Sequence, residues 1–151
     1  MNCANSRQDF ARALAHRVLP IETVSKLRAL IADDDPETLR LVAEAVEQFG
    51  AEVTCAATGG ELIEQLPEAR LDLVVTDVSM PWMTGLQAMH SARTAGWSTP
   101  IVVMTAFRDD KIVDQVKALG HNAVLLHKPF GIDELYAAMR SVLGQPAVQT
   151  K

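Results

Sequence analysis

The amino-acid sequence predicts an α/β protein built on a doubly wound parallel sheet, and three observations lead to that prediction. Apolar segments of strand length alternate with segments of helical period from residue 27 to residue 143. Several strand segments are too continuously apolar to leave one side facing solvent, which is typical of parallel strands covered on both faces. Five strand–helix units follow one another, and such a succession implies a doubly wound sheet flanked by helices.

The individual elements follow from the same pattern in chain order. The five predicted strands cover residues 27–32, 52–56, 71–76, 101–105 and 123–126. Three helices place apolar side chains on one face: Leu39, Val42, Ala43, Val46 and Phe49 in the first, Ile112, Val113, Val116 and Leu119 in the fourth, and Leu135, Ala138, Met139 and Val142 in the fifth. The second helix is predicted over residues 60–66 and the third over residues 85–95. Pro36 suits a first helical turn, and Gly50 and Gly120 stand where helices are expected to stop.

Length and composition indicate one compact domain with short appendages. The chain has 151 residues, of which 48% are hydrophobic and 22% charged, so a disordered or collagen-like chain is excluded. Its two cysteines, Cys3 and Cys55, offer neither a metal-binding spacing nor a disulfide framework, which suits a reducing cytoplasm. We find no signal-peptide pattern and no apolar run of membrane-spanning length, so no membrane partner is expected. The expected organisation is a domain at 27–144, an extension at 1–26 and a tail at 145–151 too short for an output domain.

Charge is unevenly distributed along the chain. The formal net charge is −5 at pH 7. Residues 27–144 hold 17 acidic and 9 basic side chains, a net charge of −8, whereas residues 1–26 carry +2 and residues 145–151 carry +1. Because an acidic excess repels phosphate backbones, the domain is not expected to bind nucleic acid directly.

Residues 1–26 precede the strand–helix alternation and carry a pattern of their own. Phe10, Leu14 and Val18 recur at helical spacing and Pro20 can end the segment, which predicts a short amphipathic helix. Such a helix could pack on the domain or on a second copy of the chain, giving a homodimer. The alternative is an unstructured leader, because isolated helices of about a dozen residues are marginal in water.

The chemistry is expected where the predicted strands end. In an open parallel sheet, ligands bind outside the carboxyl ends of the strands, where the strand order reverses. The polar side chains at these ends are Asp33, Asp34 and Asp35 after the first strand, Asp77 after the third, Thr105 at the end of the fourth and Lys128 after the fifth. With the strand order 2-1-3-4-5 the first and third strands are neighbours, so Asp33 and Asp34 lie beside Asp77.

Several carboxylates in one pocket favour a cation and, with it, phosphoryl transfer. Clustered carboxylates repel one another unless a cation lies between them, and an oxygen-only cluster suits Mg²⁺. Lys128 supplies a positive charge for phosphoryl oxygens, and the Thr105 hydroxyl can hydrogen-bond another of them. Asp77 is then the predicted nucleophile, because metal and lysine offset the charge that develops during transfer.

Four segments stand in an order and at spacings that are specific in combination. They are LIADDDPETLRLV at 30–42, LVVTDVSMPWMTGLQAM at 73–89, IVVMTA at 101–106 and HKPFGIDEL at 127–135. Together they make the chain resemble a response-regulator receiver domain of bacterial two-component signalling, of the single-domain type. The resemblance implies the five-stranded, flavodoxin-like receiver fold and a signalling phosphoacceptor that assists its own phosphorylation and dephosphorylation rather than an enzyme.

The resemblance also implies roles for individual residues and partners. Asp77 would accept a phosphoryl group from a phosphohistidine of a sensor histidine kinase or phosphotransfer protein, and the change would be read by a downstream protein target. The implied Mg²⁺ ligands are Asp33, Asp34, Asp77 and the backbone carbonyl of Ser79, while Thr105 and Lys128 would bind the phosphoryl group. In that family the bond between Lys128 and Pro129 is typically cis.

Four positions bear on how far the chain follows the commonest pattern of that family. Leu125 stands where Tyr or Phe is usual, so the sequence leaves open whether the family's aromatic switch operates here. Thr84 replaces a frequent acid, with little expected effect. Phe107 and Ser79 occupy positions that influence how water reaches the acyl phosphate, and the bulky Phe107 predicts slow hydrolysis. Trp82 is expected to be a loop residue near the site.

Other interpretations of these residues stay open. Taken alone, the run 33–35 suits an acidic helix start with Asp35 as the cap. An enzyme that forms an aspartyl phosphate and hydrolyses outside phosphomonoesters would need a second acid where Ser79 stands. A flavin-binding protein would need a phosphate loop after the first strand, where three aspartates would repel the phosphate. A scaffold that ignores phosphorylation is the last alternative, and Leu125 favours it.

Overall fold

The predicted sheet is present in the computed structural model, which describes residues 26–67, 70–81 and 83–144. Its five parallel strands are β1 (Leu27–Ala32), β2 (Ala51–Ala56), β3 (Leu73–Asp77), β4 (Ile101–Thr105) and β5 (Ala123–His127). They are ordered β2-β1-β3-β4-β5, which confirms the predicted doubly wound topology. The predicted amphipathic helix around residues 10–18, the tail at 145–151 and Trp82 lie outside the described residues.

Within the described residues, five helices connect or follow the strands. They are α1 (Pro36–Phe49), α2 (Gly59–Gln65), α3 (Gly85–Thr94), α4 (Asp110–Lys117) and α5 (Ile132–Leu143). Asp35 caps α1 as the sequence predicts, because its carboxylate accepts the backbone N–H of Thr38 at 3.2 Å. Gly50 ends the helix with a φ of 113°, a left-handed conformation that favours glycine. None of the helices in the described residues is long and apolar enough to cross a membrane.

β3 was predicted to begin at residue 71, but it begins two residues later. The ladder begins at Leu73, because Asp72 is tied to β1 in another way. Its N–H donates to the carbonyl of Arg28 at 2.8 Å, and its carboxylate accepts the N–H of Arg28 at 2.9 Å. The side chain of Asp72 thus occupies the position at which the next ladder bond would form.

Two layers of helices cover the sheet, and alternate side chains of each strand face one layer or the other. α1 and α5 pack on one face, against Ala29, Ile31, Leu73, Val75, Val102 and Met104. α2, α3 and α4 pack on the opposite face, against Leu30, Ala32, Val74, Ile101 and Val103. Since both faces are buried, polar groups of the central strands can reach solvent only where the strands end.

Candidate functional site

Asp33 is held at the end of β1 by backbone hydrogen bonds. Its side chain is 1% exposed, and its N–H donates to the carbonyl of Ala56 in β2 at 3.1 Å. The Oδ1 atom of Asp33 accepts the N–H of Asp35 at 2.9 Å, which leaves Oδ2 for another partner. The neighbouring Asp34 is exposed. The loop therefore presents one buried and one solvent-facing carboxylate at the same strand end.

Asp77 is the last residue of β3 and is 7% exposed. The loop that follows returns to the strand end, since the N–H of Gly85 donates to the carbonyl of Val78 at 3.1 Å. A Cβ atom on Gly85 would collide with the backbone carbonyl oxygen of Asp77 and would approach the hydroxyl of Thr76 to 2.5 Å. The start of α3 thus packs so closely behind Asp77 that a side chain at residue 85 would displace it.

Lys128 brings the two buried carboxylates together. Its Nζ lies 2.9 Å from Oδ2 of Asp33 and 3.5 Å from Oδ1 of Asp77. The backbone N–H of Lys128 donates to the carbonyl of Thr105 at 2.7 Å, and the bond from Lys128 to Pro129 is cis. The ends of β1, β3 and β5 therefore meet through one ammonium group.

Burial and neighbouring charges shift the pKa values of Asp77 and Lys128. Burial, helped by the charge of Asp33, raises the pKa of Asp77 against the opposing effects of Lys128 and the backbone N–H of Ser79. Burial alone would lower the pKa of Lys128, but the hydrogen bond that Lys128 donates to Asp33 and the charges of both carboxylates raise it overall. Lys128 consequently stays charged, and Asp77 is the carboxylate that burial disfavours in its ionised form.

Three carboxylates of the site are close enough to share a small cation. One oxygen from each of Asp33, Asp34 and Asp77 lies within 4.8 Å of the others. An oxygen-only donor set with one exposed member leaves room for retained water, which is the environment that Mg²⁺ prefers. Lys128 alone does not balance three negative charges. The side chains present therefore fit Mg²⁺.

Thr105 and Ser79 flank this cluster. Thr105 is fully buried at the end of β4, and its Oγ1 accepts the backbone N–H of Phe107 at 3.0 Å. Because the hydroxyl oxygen already serves as an acceptor, its proton remains available for donation to a ligand. Ser79 is exposed in the loop after Asp77, and its carbonyl as a metal ligand stays a prediction.

Comparison with known proteins decides the family. A family model of the response regulator receiver domain matches residues 29–140, about three quarters of the chain. The chain belongs to this family. It is the receiver domain of a response regulator in two-component signalling, as the four sequence segments predict.

Individual relatives of this receiver domain agree with that assignment. It is 35% identical over 118 residues to the response regulator MprA of Mycolicibacterium vanbaalenii, covering 78% of this chain and 50% of that protein. It is 32% identical over 124 residues to the probable transcriptional regulatory protein TcrX of Mycobacterium tuberculosis, covering 80% of this chain and 51% of that protein. The chain thus spans about half the length of these curated relatives.

A solved structure matches the receiver domain over nearly its whole length. The chemotaxis protein CheY4 of Vibrio cholerae superposes with a TM-score of 0.72 at 29% identity. The match covers 78% of this chain and 99% of that one. The similarity therefore extends over the entire CheY4 sheet and its helices.

Sequence reasoning missed two features of the site. It gave Lys128 the role of binding a phosphoryl group and did not predict the ion pair between Lys128 and Asp33. It treated Gly85 as the start of a helix and not as the residue that permits close packing behind Asp77. The position of Gly85 in the sequence did indicate close packing. It ends a short loop after a strand, at the point where a helix begins directly against the end of that strand.

Proposed function

We propose that this receiver domain, at residues 27–144, is a phosphoacceptor in a two-component phosphorelay. Asp77 takes a phosphoryl group from a phosphohistidine of a sensor histidine kinase or a phosphotransfer protein. The observation that carries the proposal is the buried Asp77 carboxylate, which shares the ammonium group of Lys128 with Asp33. A partly desolvated carboxylate beside a fixed positive charge combines a nucleophile with stabilisation for incoming phosphoryl oxygens.

The protein contributes positioning and electrostatic stabilisation to the transfer. A carboxylate oxygen of Asp77 bonds to phosphorus while the bond from phosphorus to the donor histidine nitrogen breaks, and the electron pair stays on the imidazole. Lys128, at 3.5 Å from Asp77, is placed to pair with one phosphoryl oxygen. The Thr105 hydroxyl, whose oxygen accepts from Phe107, donates to another.

The same carboxylates would hold the metal ion that such a transfer uses. Asp33, Asp34, Asp77 and the carbonyl of Ser79 are the proposed Mg²⁺ ligands, on the strength of the clustered oxygens. When bound, Mg²⁺ supplies positive charge next to the phosphoryl oxygens. Lys128 orients the Asp33 carboxylate through the 2.9 Å contact, so one lysine serves both the proposed metal ligand and the phosphoryl group.

The output of the domain is a changed surface that a downstream protein reads. We place this surface on α4, β5 and α5. β5 is an edge strand, and its backbone is tied to the site because the N–H of Lys128 donates to the carbonyl of Thr105. A cavity of about 620 Å³ beside it is lined by Val113, His121 and Leu125 among others. A shift of Lys128 on phosphorylation would reach this cavity through His127, the preceding residue, which lines it.

Phosphorylation by a small donor tests the proposal directly. The chain is incubated with Mg²⁺ and acetyl phosphate, and its intact mass is measured. We expect one added phosphoryl group on the wild type and on Asp114→Asn, which removes an equal charge from an exposed position on α4, and none on Asp77→Asn. An adduct that persists on Asp77→Asn, or no adduct on the wild type, would contradict the proposal.

A further inference from the structure

α1 and α5 lie side by side and leave a groove on their outer surface. The hydroxyl of Tyr136 donates to the carbonyl of Ala45 at 2.7 Å, which fixes the spacing of the two helices. The α1–α5 groove, a cavity of about 330 Å³, is lined mainly by Leu41, Val42, Ala45, Phe130, Ile132 and Leu135. Leu41 and Ile132 are 53% and 54% exposed, and they are two of the three large apolar side chains exposed among the described residues. This groove presents an apolar surface that the described part of the chain does not cover.

We propose that residues 7–18 of this same chain dock in the α1–α5 groove as an amphipathic helix. Their apolar stripe consists of Phe10, Leu14 and Val18, which face one side of a helix. Such a helix is marginal alone in water, and burial of the stripe against the groove supplies the packing that it lacks. Docking would bury this apolar stripe in a groove that the described residues leave open.

The length of chain between the two partners permits this contact. Leu27 pairs with Ala51 in the sheet, so the chain enters β1 at the same end of the domain at which α1 finishes. The groove extends along α1 from Leu41 to Gln48, and its Gln48 part lies close to that end of the domain. The eight residues 19–26 can span up to about 26–29 Å, and β1 itself is about 20 Å long. The segment can therefore turn back over the outside of α1 and α5.

Charge favours the same arrangement. Residues 1–26 carry four basic and two acidic side chains, whereas α1 and α5 together carry five acidic and two basic ones. Arg7 precedes Phe10 by three residues and Arg17 follows Leu14 by three, so basic groups stand at both ends of the apolar stripe. Glu44 lines the groove itself. An apolar stripe with basic ends thus meets an apolar groove with an acidic margin.

The groove lies next to the candidate site, because Phe130 follows Lys128 by two residues. Docking of the segment in this groove does not rest on the proposed function. The experiment below therefore measures docking without phosphorylation, so the two proposals can fail separately.

Paramagnetic relaxation enhancement tests docking in the full chain. Cys55→Ser leaves Cys3 as the single thiol for a nitroxide label, seven residues before Phe10. We expect selective broadening of backbone amide signals on α1 and at the start of α5, around Leu41 and Ile132. Phe10→Asp and Leu41→Asp should each abolish the broadening. His16→Asp, which makes a matched change on the opposite face of the helix, should preserve it.

Each alternative occupant gives a different result. Broadening that appears when labelled, unenriched chain is mixed with unlabelled, ¹⁵N-enriched chain would show a second copy in the groove and would overturn the proposal. Absence of selective broadening in the full chain would also overturn it and would leave the groove to another protein. Broadening that survives both Phe10→Asp and Leu41→Asp would show that the proposed contact does not form.

Discussion

At the scale of single residues, Lys128 sets the balance of charge in the site. Its ammonium group contacts two buried carboxylates, and the closer contact is with Asp33 rather than with the proposed nucleophile. Asp77 is left as the less compensated of the two, with its pKa raised mainly by burial. The proposed reaction site is therefore also a place where ionisation works against folding.

Replacing Asp77 with Asn is expected to raise the free energy of unfolding at pH 7 without Mg²⁺. Because the pKa of Asp77 is higher in the folded chain than its ordinary value of 3.8, the folded state binds this proton more tightly. The resulting stability is present below 3.8 and is lost as the pH rises through the raised pKa. Asparagine cannot ionise and so avoids that loss, while Lys128 keeps Asp33 as its partner.

Urea unfolding at a series of pH values measures this effect. The advantage of Asp77→Asn over the wild type should shrink as the solution becomes acidic enough to protonate Asp77. Asp114→Asn serves as the control, because it changes the net charge equally from an exposed position on α4. If Asp77→Asn and Asp114→Asn have the same free energy of unfolding at neutral pH, burial of the Asp77 charge does not destabilise the folded chain.

Phe107 is expected to slow loss of the phosphoryl group. It follows Thr105 by two residues and is 55% exposed, while its backbone N–H is bound to the Thr105 hydroxyl. A large apolar side chain here would hinder water that attacks the acyl phosphate. Phe107→Ala should therefore shorten the half-life of the phosphorylated chain several-fold, measured by intact mass after removal of the donor. A longer half-life in the variant would contradict this interpretation.

The acidic positions of the site could be predicted from sequence because topology alone brings them together. The carboxyl ends of parallel strands lie at the same edge of the sheet. Asp33, Asp34 and Asp77 therefore had to be neighbours once the strand order was known. The ion pair from Lys128 to Asp33 could not be predicted in the same way. This ion pair depends on the direction of the long, flexible Lys128 side chain. Two carboxylates attract its ammonium group, Asp33 at 2.9 Å and Asp77 at 3.5 Å.

At the scale of secondary-structure elements, the start of α3 matters most to the site. Thr84 caps the helix, since its hydroxyl accepts the N–H of Gln87 at 3.1 Å and the Gln87 side chain accepts the N–H of Thr84 at 3.0 Å. Gly85 then packs against the backbone of Asp77. Thr84, expected from sequence to matter little, thus helps to position the loop that follows Asp77.

Gly85→Ala is expected to destabilise the chain by about 1–3 kcal/mol. The added Cβ would meet backbone and buried groups of β3, which cannot move aside without displacing Asp77. Gly60→Ala is the matched control in α2, where the nearest atom to the new Cβ lies at 3.8 Å. That change should be neutral or stabilising by up to about 1 kcal/mol, because alanine favours a helix.

Chemical denaturation of both glycine variants provides the measurement. Mass spectrometry after treatment with acetyl phosphate adds a functional readout, since displacement of Asp77 should reduce the yield of adduct in Gly85→Ala only. Equal stability of the two variants would mean that α3 can withdraw from β3 at little cost.

The positions of the elements were predictable where burial alone determines them. β1 and β4 begin and end as the apolar runs indicate, because both strands are covered on both faces. The prediction of β3 from residue 71 was wrong because a polar contact between Asp72 and Arg28 replaces the ladder there. The start of α4 at Asp110 depends on the side chain of Asp109, which accepts the N–H of Lys111. Local polar contacts of this kind leave no apolar periodicity in a sequence.

At the scale of the whole molecule, the uneven charge governs what the chain can bind. The curated relative TcrX is named as a probable transcriptional regulatory protein and is about twice as long as the region matched here. Residues 27–144 carry a net charge of −8, which repels a phosphate backbone. The basic side chains of residues 1–26 would provide most of the electrostatic attraction to a polyanion. Docking in the α1–α5 groove would direct these side chains toward acidic helices instead.

We therefore expect no measurable binding of this chain to duplex DNA. Nonspecific binding to DNA arises from basic side chains that neutralise phosphates, so it is strongest at low salt. Fluorescence anisotropy of a labelled duplex, titrated with the chain at low ionic strength, should stay constant. A variant with Arg7, Arg12 and Arg17 replaced by Gln should behave in the same way, because these residues do not engage the duplex. Salt-sensitive binding that this variant loses would show that the extension is free to bind a polyanion, against both the charge argument and the docked arrangement.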